Sequence, residues 1–437
     1  MDIWNRAESV VKNTNLVASR GEVVELRGLI IEGNGPAAGV GTTCSIIQGE
    51  TRVPAQVVGF RKDRILLMPY GELYGIAPGA GILAQTHSST MLVNEELLGR
   101  VLDPFLQPLD GLSPVRNGTE VPLYASPPGP MQRERIADDW DTGIKAVNSM
   151  LTVGKGQRVA IMAGSGVGKS TFLGMIAKHS RSTVNVIALV GERGREVREF
   201  IERDLGPEGM ARSVVIVATS DSSPLLRIRA AFAATAIAEY FRDRGEDVAL
   251  MVDSITRFCM AQREIGLAVG EPPSAAGYTP SVFALLPKLL ERAGTKIGAG
   301  SITGFYTVLV EGDDMNEPIA DAVRGILDGH IVLSRKLAGR GHYPAIDILQ
   351  SVSRVMSEVS PSERLSRSYL ARKVLADYAE AEDLVSIGAY QQGTNPRIDF
   401  AISHIEKLRE YLRQSPEEFY AMADCDQQMG EIFSTEV

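Results

Sequence analysis

Residues 158–174 read RVAIMAGSGVGKSTFLG: an apolar run, a glycine-rich break, then Lys-Ser-Thr leading into a helix-compatible stretch. The run Arg158 to Met162 is short and apolar after its first residue, which predicts a buried strand, and TFLGMIAKH beyond it carries helical spacing. Between the two, Ala163, Gly164, Ser165, Gly166, Val167, Gly168, Lys169 and Ser170 follow the phosphate-loop form G-x-x-x-x-G-K-[ST], with Ala163 in the first glycine position. Glycines let the backbone curl until successive N–H groups face phosphate oxygens, and the helix that follows adds the positive end of its dipole. The pattern assigns Gly164 through Thr171 to the phosphates of a nucleotide, with Lys169 on the β and γ phosphates and the Ser170 hydroxyl on Mg²⁺. An alanine at 163 is tolerable if its φ is negative, because only a left-handed backbone demands glycine there.

Outward from the loop, VALMVDSITR ends an apolar strand at Asp253, a carboxylate at the C-terminal edge of a strand neighbouring the phosphate loop, where it can order Mg²⁺ through water. VNVIALVGERGREV delivers Glu192 and then Arg193 to the same edge. Hydrolysis needs a fixed group that orients and polarises the attacking water, and a carboxylate on a strand end can do so. Glu192 takes that role by position; if it pairs with Arg193 or Arg195 instead, Glu196 is the rival. His179, His330, His342 and His404 show no metal-ligand spacing with one another or with cysteine.

The wider chain fits a multidomain globular protein. Its 437 residues allow two or three domains, and 44% hydrophobic with 23% charged residues is an ordinary globular composition. A net charge of -9 without long runs of one sign speaks against general affinity for nucleic acid or anionic lipid. Three widely spaced cysteines suit a reducing compartment. The start MDIWNRAESVVKN has no basic segment leading into an apolar stretch, and nowhere do about 18 uncharged apolar residues run together. The expected location is cytoplasmic, with membrane association only through partners. Residues 1–19 suggest a short amphipathic helix over 3–18, equally suited to folding back on its own domain or docking a partner. Residues 20–92 hold short β-rich runs (VVELRGLII, TTCSII, VPAQVVGF, RILLM, GILAQT) between Gly, Pro and Asn turns, the rhythm of a small β-barrel or sandwich. From 93 to 364, RVAIMA, VNVIALV, SVVIVAT, VALMVD, ITGFYTVLV and GHIVLS alternate with helical stretches, which predicts an α/β domain with a parallel sheet covered by helices. Residues 365–437 read as a helical domain.

AGSGVGKST, VGERGREVREF, MVDSITRF, GEPPSAAGYTPSVFALLPKLLERAG, GSITGFYTVLVEGDDMNEPIADAVRGILDGHIVLSRKLA and GHYPAIDILQSVSRVM together resemble the ATPases of flagellar and virulence-type type III protein export, relatives of the catalytic subunits of rotary ATP synthases. The resemblance covers nearly the whole chain. It implies a β-barrel domain, a RecA-like ATP-binding domain and a helical C-terminal domain, assembled as a homohexamer. Carried onto these residues, it implies Lys169 on phosphate, Ser170 on Mg²⁺, Glu192 as the carboxylate that activates water, Asp253 near Mg²⁺, and Arg193 and Arg257 near the γ-phosphate. Arg354 in SVSRVM corresponds to the arginine that reaches into a neighbouring subunit's site. Tyr343 in GHYPAID matches the aromatic that stacks on adenine, with Tyr411 a second choice. The resemblance further implies a stator-like regulator, an export-gate membrane complex and cargo-chaperone complexes as partners. DPFLQPLDG lacks the glycine usual after the first Asp of that linker, which leaves the linker geometry open.

Three other readings compete. An RNA translocase should show a basic groove with stacking aromatics in its barrel, yet residues 20–90 carry six basic against six acidic side chains and only Phe60, Tyr70 and Tyr74. A rotary synthase subunit fits VLVEGDDMNEPIADAVRGILDGHIVLSR less well than an export ATPase does. A scaffold without turnover requires Glu192 to be idle. Between the two export systems, MNEPIADAVRGILDGH and YQQGTNPRIDFAI look flagellar by resemblance.

Overall fold

The computed structural model describes residues 20–85, 90–310, 312 and 314–434; the helix expected over 3–18 lies outside them. The first strands close into a six-stranded barrel in the order β1-β2-β5-β4-β3-β6, formed by β1 (Arg20–Arg27), β2 (Ile30–Asn34), β3 (Thr43–Gln48), β4 (Thr51–Arg61), β5 (Arg64–Pro69) and β6 (Gly81–Ala84). VVELRGLII, one run in the sequence, becomes two strands because Gly28 turns the chain at φ +59, a conformation glycine adopts without steric cost. In β5, Ile65 and Leu67 join Ile31, Cys44 and Ile46 inside the barrel, while Leu66 and Met68 enter the core of the next domain. Side chains alternate along a strand, so the run Ile65 to Met68 is apolar throughout because both of its faces are buried.

A connecting ribbon pairs β7 (Thr90–Val93) with β9 (Thr119–Pro122), and between them β8 (Arg100–Leu102) joins the edge of the main sheet. The linker turn lacking the usual glycine is held by Asp103, whose carboxylate accepts from the N–H groups of Phe105 and Gln107 at 2.7 and 2.8 Å, with Leu106 at φ +62. A second ribbon, β10 (Asp139–Trp140) with β11 (Val153–Gly154), leads into the central domain.

There the main sheet runs β19-β18-β12-β17-β15-β13-β14-β8, built on β12 (Arg158–Ala163), β13 (Val184–Val190), β14 (Ser213–Ala218), β15 (Asp247–Asp253), β17 (Ser301–Leu309), β18 (Gly329–Leu333) and β19 (Ile346–Ser353). The six strands β12, β13, β14, β15, β17 and β18 are the six runs read from the sequence, and they are parallel. The sheet as a whole is mixed: β19 lies antiparallel on β18, and the short β16 (Gly294–Thr295) antiparallel on β17. Alternate residues serve opposite layers. Ala160 and Met162 of β12 face one core, Val159, Ile161 and Ala163 the other, which is why these strands read as continuous apolar runs.

The C-terminal helices Ser362–Ser386, Pro396–Leu412 and Met422–Phe433 complete the second of these cores with Ala371, Val374, Leu408, Met429 and Phe433. One ion-pair node ties them to the central domain. Arg364, nearly buried, grips Asp426 through two bonds of 2.8 Å and reaches Asp139 of β10 at 2.8 Å. Removing one partner of such a node leaves charges without compensation. Arg364→Ala should therefore cost about 3 kcal/mol, the low end of the range because both aspartates keep some solvent. A thermal melt should show a clearly lower Tm; an unchanged Tm would remove the node as a domain fastening.

Candidate functional site

β12 is an inner strand of the sheet, between β17 and β18. Ala163 is its last residue, paired with Leu309 and Leu333, so it sits in extended backbone and its methyl group does no harm. The chain then leaves the sheet through Gly166 and Gly168, at φ +79 and +91, and enters the helix Lys169–His179. This strand, glycine loop and helix frame a cavity of about 560 Å³ lined by Gly164, Ser165, Gly166, Gly168, Lys169, Ser170 and Thr171, together with Glu192, Arg193, Glu196 and Arg257.

Lys169 is the hub. Its Nζ donates to Glu192 Oε1 at 3.0 Å and to Asp253 Oδ1. Burial disfavours the ammonium, but the carboxylates of Asp253 and Glu192 outweigh it and hold Lys169 above the ordinary lysine pKa. Glu192 follows β13, and Asp253 ends β15. The sequence reading put β15 beside the loop strand; β17 intervenes, and its buried Thr307 donates to Asp253 Oδ1 at 2.6 Å. Arg257 reaches the cavity across Gly191, whose φ is +74 and where a Cβ would meet the arginine's Cβ at 2.9 Å. Its Nε is buried and has no hydrogen-bond partner among the described residues. Arg193 is mostly exposed and bonds Glu196 at 3.2 Å.

Two further arginines line the cavity, Arg203 and Arg335. Arg203 sits in a π-helical turn, Phe200–Leu205, beside Asp204, whose carboxylate takes the Thr171 hydroxyl at 3.3 Å. The walls thus carry Lys169 and four arginines against Glu192 and Glu196, a positive excess suited to polyphosphate.

A second, mainly apolar pocket of about 230 Å³ adjoins the first, sharing Gly168 and Thr171 and walled by Val167, Phe172, Met175, Leu333, Tyr343, Pro344, Gln414 and Pro416. Tyr343 lays its ring edge 3.7 Å from where a Gly168 side chain would begin and is itself half-exposed. Tyr411 is elsewhere. It is buried between the helices Lys145–Met150 and Met422–Phe433, its hydroxyl 2.7 Å from Ser149 Oγ and bonded to the Cys425 carbonyl. A phenol spent on core packing has no face for a base, so the second adenine choice is corrected. The C-terminal domain reaches this pocket through Gln414, whose N–H donates to the Tyr343 carbonyl at 2.9 Å. Arg354, after β19, is exposed outside its own chain's cavity; it donates to the Arg324 carbonyl at 2.9 Å and makes no ion pair among the described residues.

Sequence reasoning missed Thr307, Arg203, Arg335 and Gln414. Arg335 had a signal: in GHIVLSRKLA it lies just past the end of β18, a strand end like those that deliver Glu192 and Asp253. Thr307, inside an apolar strand, gave none.

The family model described as "ATP synthase alpha/beta family, nucleotide-binding domain" matches residues 143–353, and "T3SS EscN ATPase C-terminal domain" matches 360–431. A "Flagellum-specific ATP synthase" of Bacillus subtilis is 53% identical over 411 residues, 93% of this chain and 94% of that protein. The chain belongs to the flagellar and type III secretion ATPase family. The solved structure of the assembled ATPase EscN from the enteropathogenic E. coli type III secretion system matches with TM-score 0.90 at 42% identity, covering 94% of this chain and 99% of that one. EscN in complex with its central stalk EscO matches with TM-score 0.87 at 41% identity, over the same 94% and 99%. The family is one of nucleotide-binding ATPases, and its span takes in barrel, central domain and C-terminal helices alike.

The two tyrosines should separate cleanly in this family member. Tyr343→Ala should weaken ATP binding by about tenfold or more, the scale of a lost base–aromatic stack, with little change in Tm. Tyr411→Phe should lower Tm and leave ATP binding unaltered. The reverse pattern, read by titration and thermal melt, would restore Tyr411 to the base pocket.

Proposed function

We propose that this chain hydrolyses Mg-ATP in a ring of six copies and thereby drives protein export by a flagellar apparatus. The observation that carries the reading is the clasp of Lys169 by Glu192 and Asp253 at the mouth of the glycine loop. Loop N–H groups and Lys169 hold the triphosphate, and the adenine rests against Tyr343. As phosphate oxygens draw Lys169 away, Glu192 loses its counter-charge and is left as a carboxylate placed to orient water and accept its proton. Arg257, with its unpartnered buried Nε, and Arg193 meet the terminal phosphate.

Ser170 and, through water, Asp253 would hold Mg²⁺, which supplies charge neutralisation on the phosphates. Among the described residues no group of three or more His, Cys, Asp or Glu side chains could hold a metal alone, which fits an ion that takes most of its ligands from phosphate and water. Arg354 acts in the neighbouring copy's site: it is exposed, lies outside its own cavity, and the similar EscN was solved as an assembly. A guanidinium supplied in this way stabilises charge spread over the equatorial oxygens of the transition state.

The reading places the protein in the cytoplasm, at the inner face of the membrane that holds the export gate. No helix among the described residues is long and apolar enough to cross a membrane. A stator-like regulator and cargo-chaperone complexes are the partners the family resemblance implies, and the EscN complex with its stalk adds a central stalk by analogy. The likeness to EscN also supports a second reading, the same engine in a virulence-type secretion system.

Glu192→Gln should bind ATP nearly as the parent does while kcat falls about 10²- to 10⁴-fold, the scale of a lost general base. Full turnover would take Glu192 out of the mechanism. Arg354→Ala should likewise keep ATP affinity and lose about 10³- to 10⁵-fold in kcat, with activity partly restored in rings mixed with Glu192→Gln subunits, because each mutant supplies what its neighbour lacks. Equal loss of binding and turnover, without complementation, would sink the shared site.

A further inference from the structure

Gly164 is the first loop residue beyond β12, yet it is not among the glycines with positive φ. Its backbone would accept alanine. What a side chain there would displace is Arg335: a Cβ on Gly164 would lie 2.6 Å from Arg335 Nε and 2.8 Å from Nη2. The guanidinium therefore turns its Nε–Nη2 edge toward the loop backbone, in the cavity that also receives Lys169, Glu192 and Arg257. It arrives there from the helix Arg335–Gly339, which starts directly after β18, the other parallel neighbour of β12. The helix is anchored at both ends. The Ser334 hydroxyl accepts from the Leu337 N–H, and Lys336 and Arg340 both bond Glu382 of the C-terminal domain, at 3.3 and 2.7 Å. The arginine is thus presented from a fixed base rather than swung in on a loop.

We propose that Arg335 is a phosphate-contacting residue of the same chain, and that Gly164 is glycine in order to seat it. A planar guanidinium beside curled N–H groups offers paired donors to a phosphate oxygen, which a lysine's single ammonium cannot copy. The assignment rests on the phosphate reading of the cavity. It differs from the arginine roles above in geometry: Arg335 comes from the β18 side of the loop, opposite to the side from which Glu192, Arg193 and Arg257 come.

The test is ATP binding by the full-length chain in Mg²⁺ buffer, titrated at equilibrium for five variants whose melts confirm folding. Arg335→Ala should weaken ATP about 10- to 100-fold, the range of a lost charge-assisted hydrogen bond. Arg335→Lys should recover part of the loss, and millimolar guanidinium should recover part of it for the alanine variant, which a merely structural arginine would not allow. Gly164→Ala should weaken ATP in the parent but cost little in the Arg335→Ala background, since the obstructing guanidinium is gone. Lys169→Ala is the control for the cavity. Loss of ATP binding in Lys169→Ala with parental affinity in Arg335→Ala would overturn this inference alone, as would an equal cost of Gly164→Ala in both backgrounds. Parental affinity in Lys169→Ala would overturn the phosphate reading itself.

Discussion

One buried ammonium shared between two carboxylates sets the terms for everything around it. Lys169 loses most of its water, and an uncompensated charge there would cost several kcal/mol. Its two partners come from different strand ends, so three elements must stop at the same height: β12 before the loop, β13 before Glu192 and β15 at Asp253. Parallel register is what aligns them, and β17 between β12 and β15 contributes Thr307 to fix the aspartate's orientation. Of the arginines around this clasp, Arg193 is met by Glu196 and Arg203 by Asp204, and the positive excess left in the cavity suits a polyphosphate.

That demand for alignment explains which parts of the fold could be read from sequence. The central strands are buried on both faces and follow as uninterrupted apolar runs, so β12, β13, β14, β15, β17 and β18 were legible one by one. Their spatial order was not. Nothing in VALMVD or ITGFYTVLV says which lies next to the loop strand, and the Asp253 carboxylate was placed one strand too near. β19 is half-exposed and antiparallel, with a polar pattern that hides it among helical stretches. In the barrel, the difficulty lay in a single residue: Gly28 divides one apolar run into two strands by a change of φ, which hydropathy does not register.

Site residues divide along a similar line. Lys169 and Ser170 belong to a loop-to-helix motif, Glu192 follows β13 and Asp253 ends β15, so position alone makes each of them legible. Arg335 follows a strand too, but Lys336 and the next residues read as an ordinary amphipathic start, and its use depends on Gly164 lacking a Cβ, a relation between two positions far apart in the chain. Tyr411 failed for the opposite reason. A tyrosine near the C-terminus looks available in sequence, yet its ring fills the joint between two helices, and burial pushes its hydroxyl pKa well above the usual phenol value.

The stretch from Ser334 to Pro344 joins these threads. At its start Arg335 lies on the glycine loop; at its end Tyr343 and Pro344 wall the apolar pocket. Between them Lys336 and Arg340 bond Glu382, whose carboxyl is held down to about 2, first by Arg340 and then by Lys336. Glu382 also takes Arg409 of the next helix at 3.1 Å. His342, in the same stretch, is kept neutral near pH 7 because burial, helped by Arg413 and Arg409, lowers its pKa to about 4, so it adds no charge to a crowded set of cations. The Tyr343 carbonyl then accepts from Gln414, whose own side chain is spent on the Lys145 N–H and the carbonyls of Gly143 and Glu418. The glycine-loop cavity, the apolar pocket beside it and the C-terminal helices therefore meet on about a dozen consecutive residues. A rigid-body shift of those helices cannot leave both cavities where they were, because it pulls on the Glu382 and Gln414 hydrogen bonds that hold this stretch at its two ends.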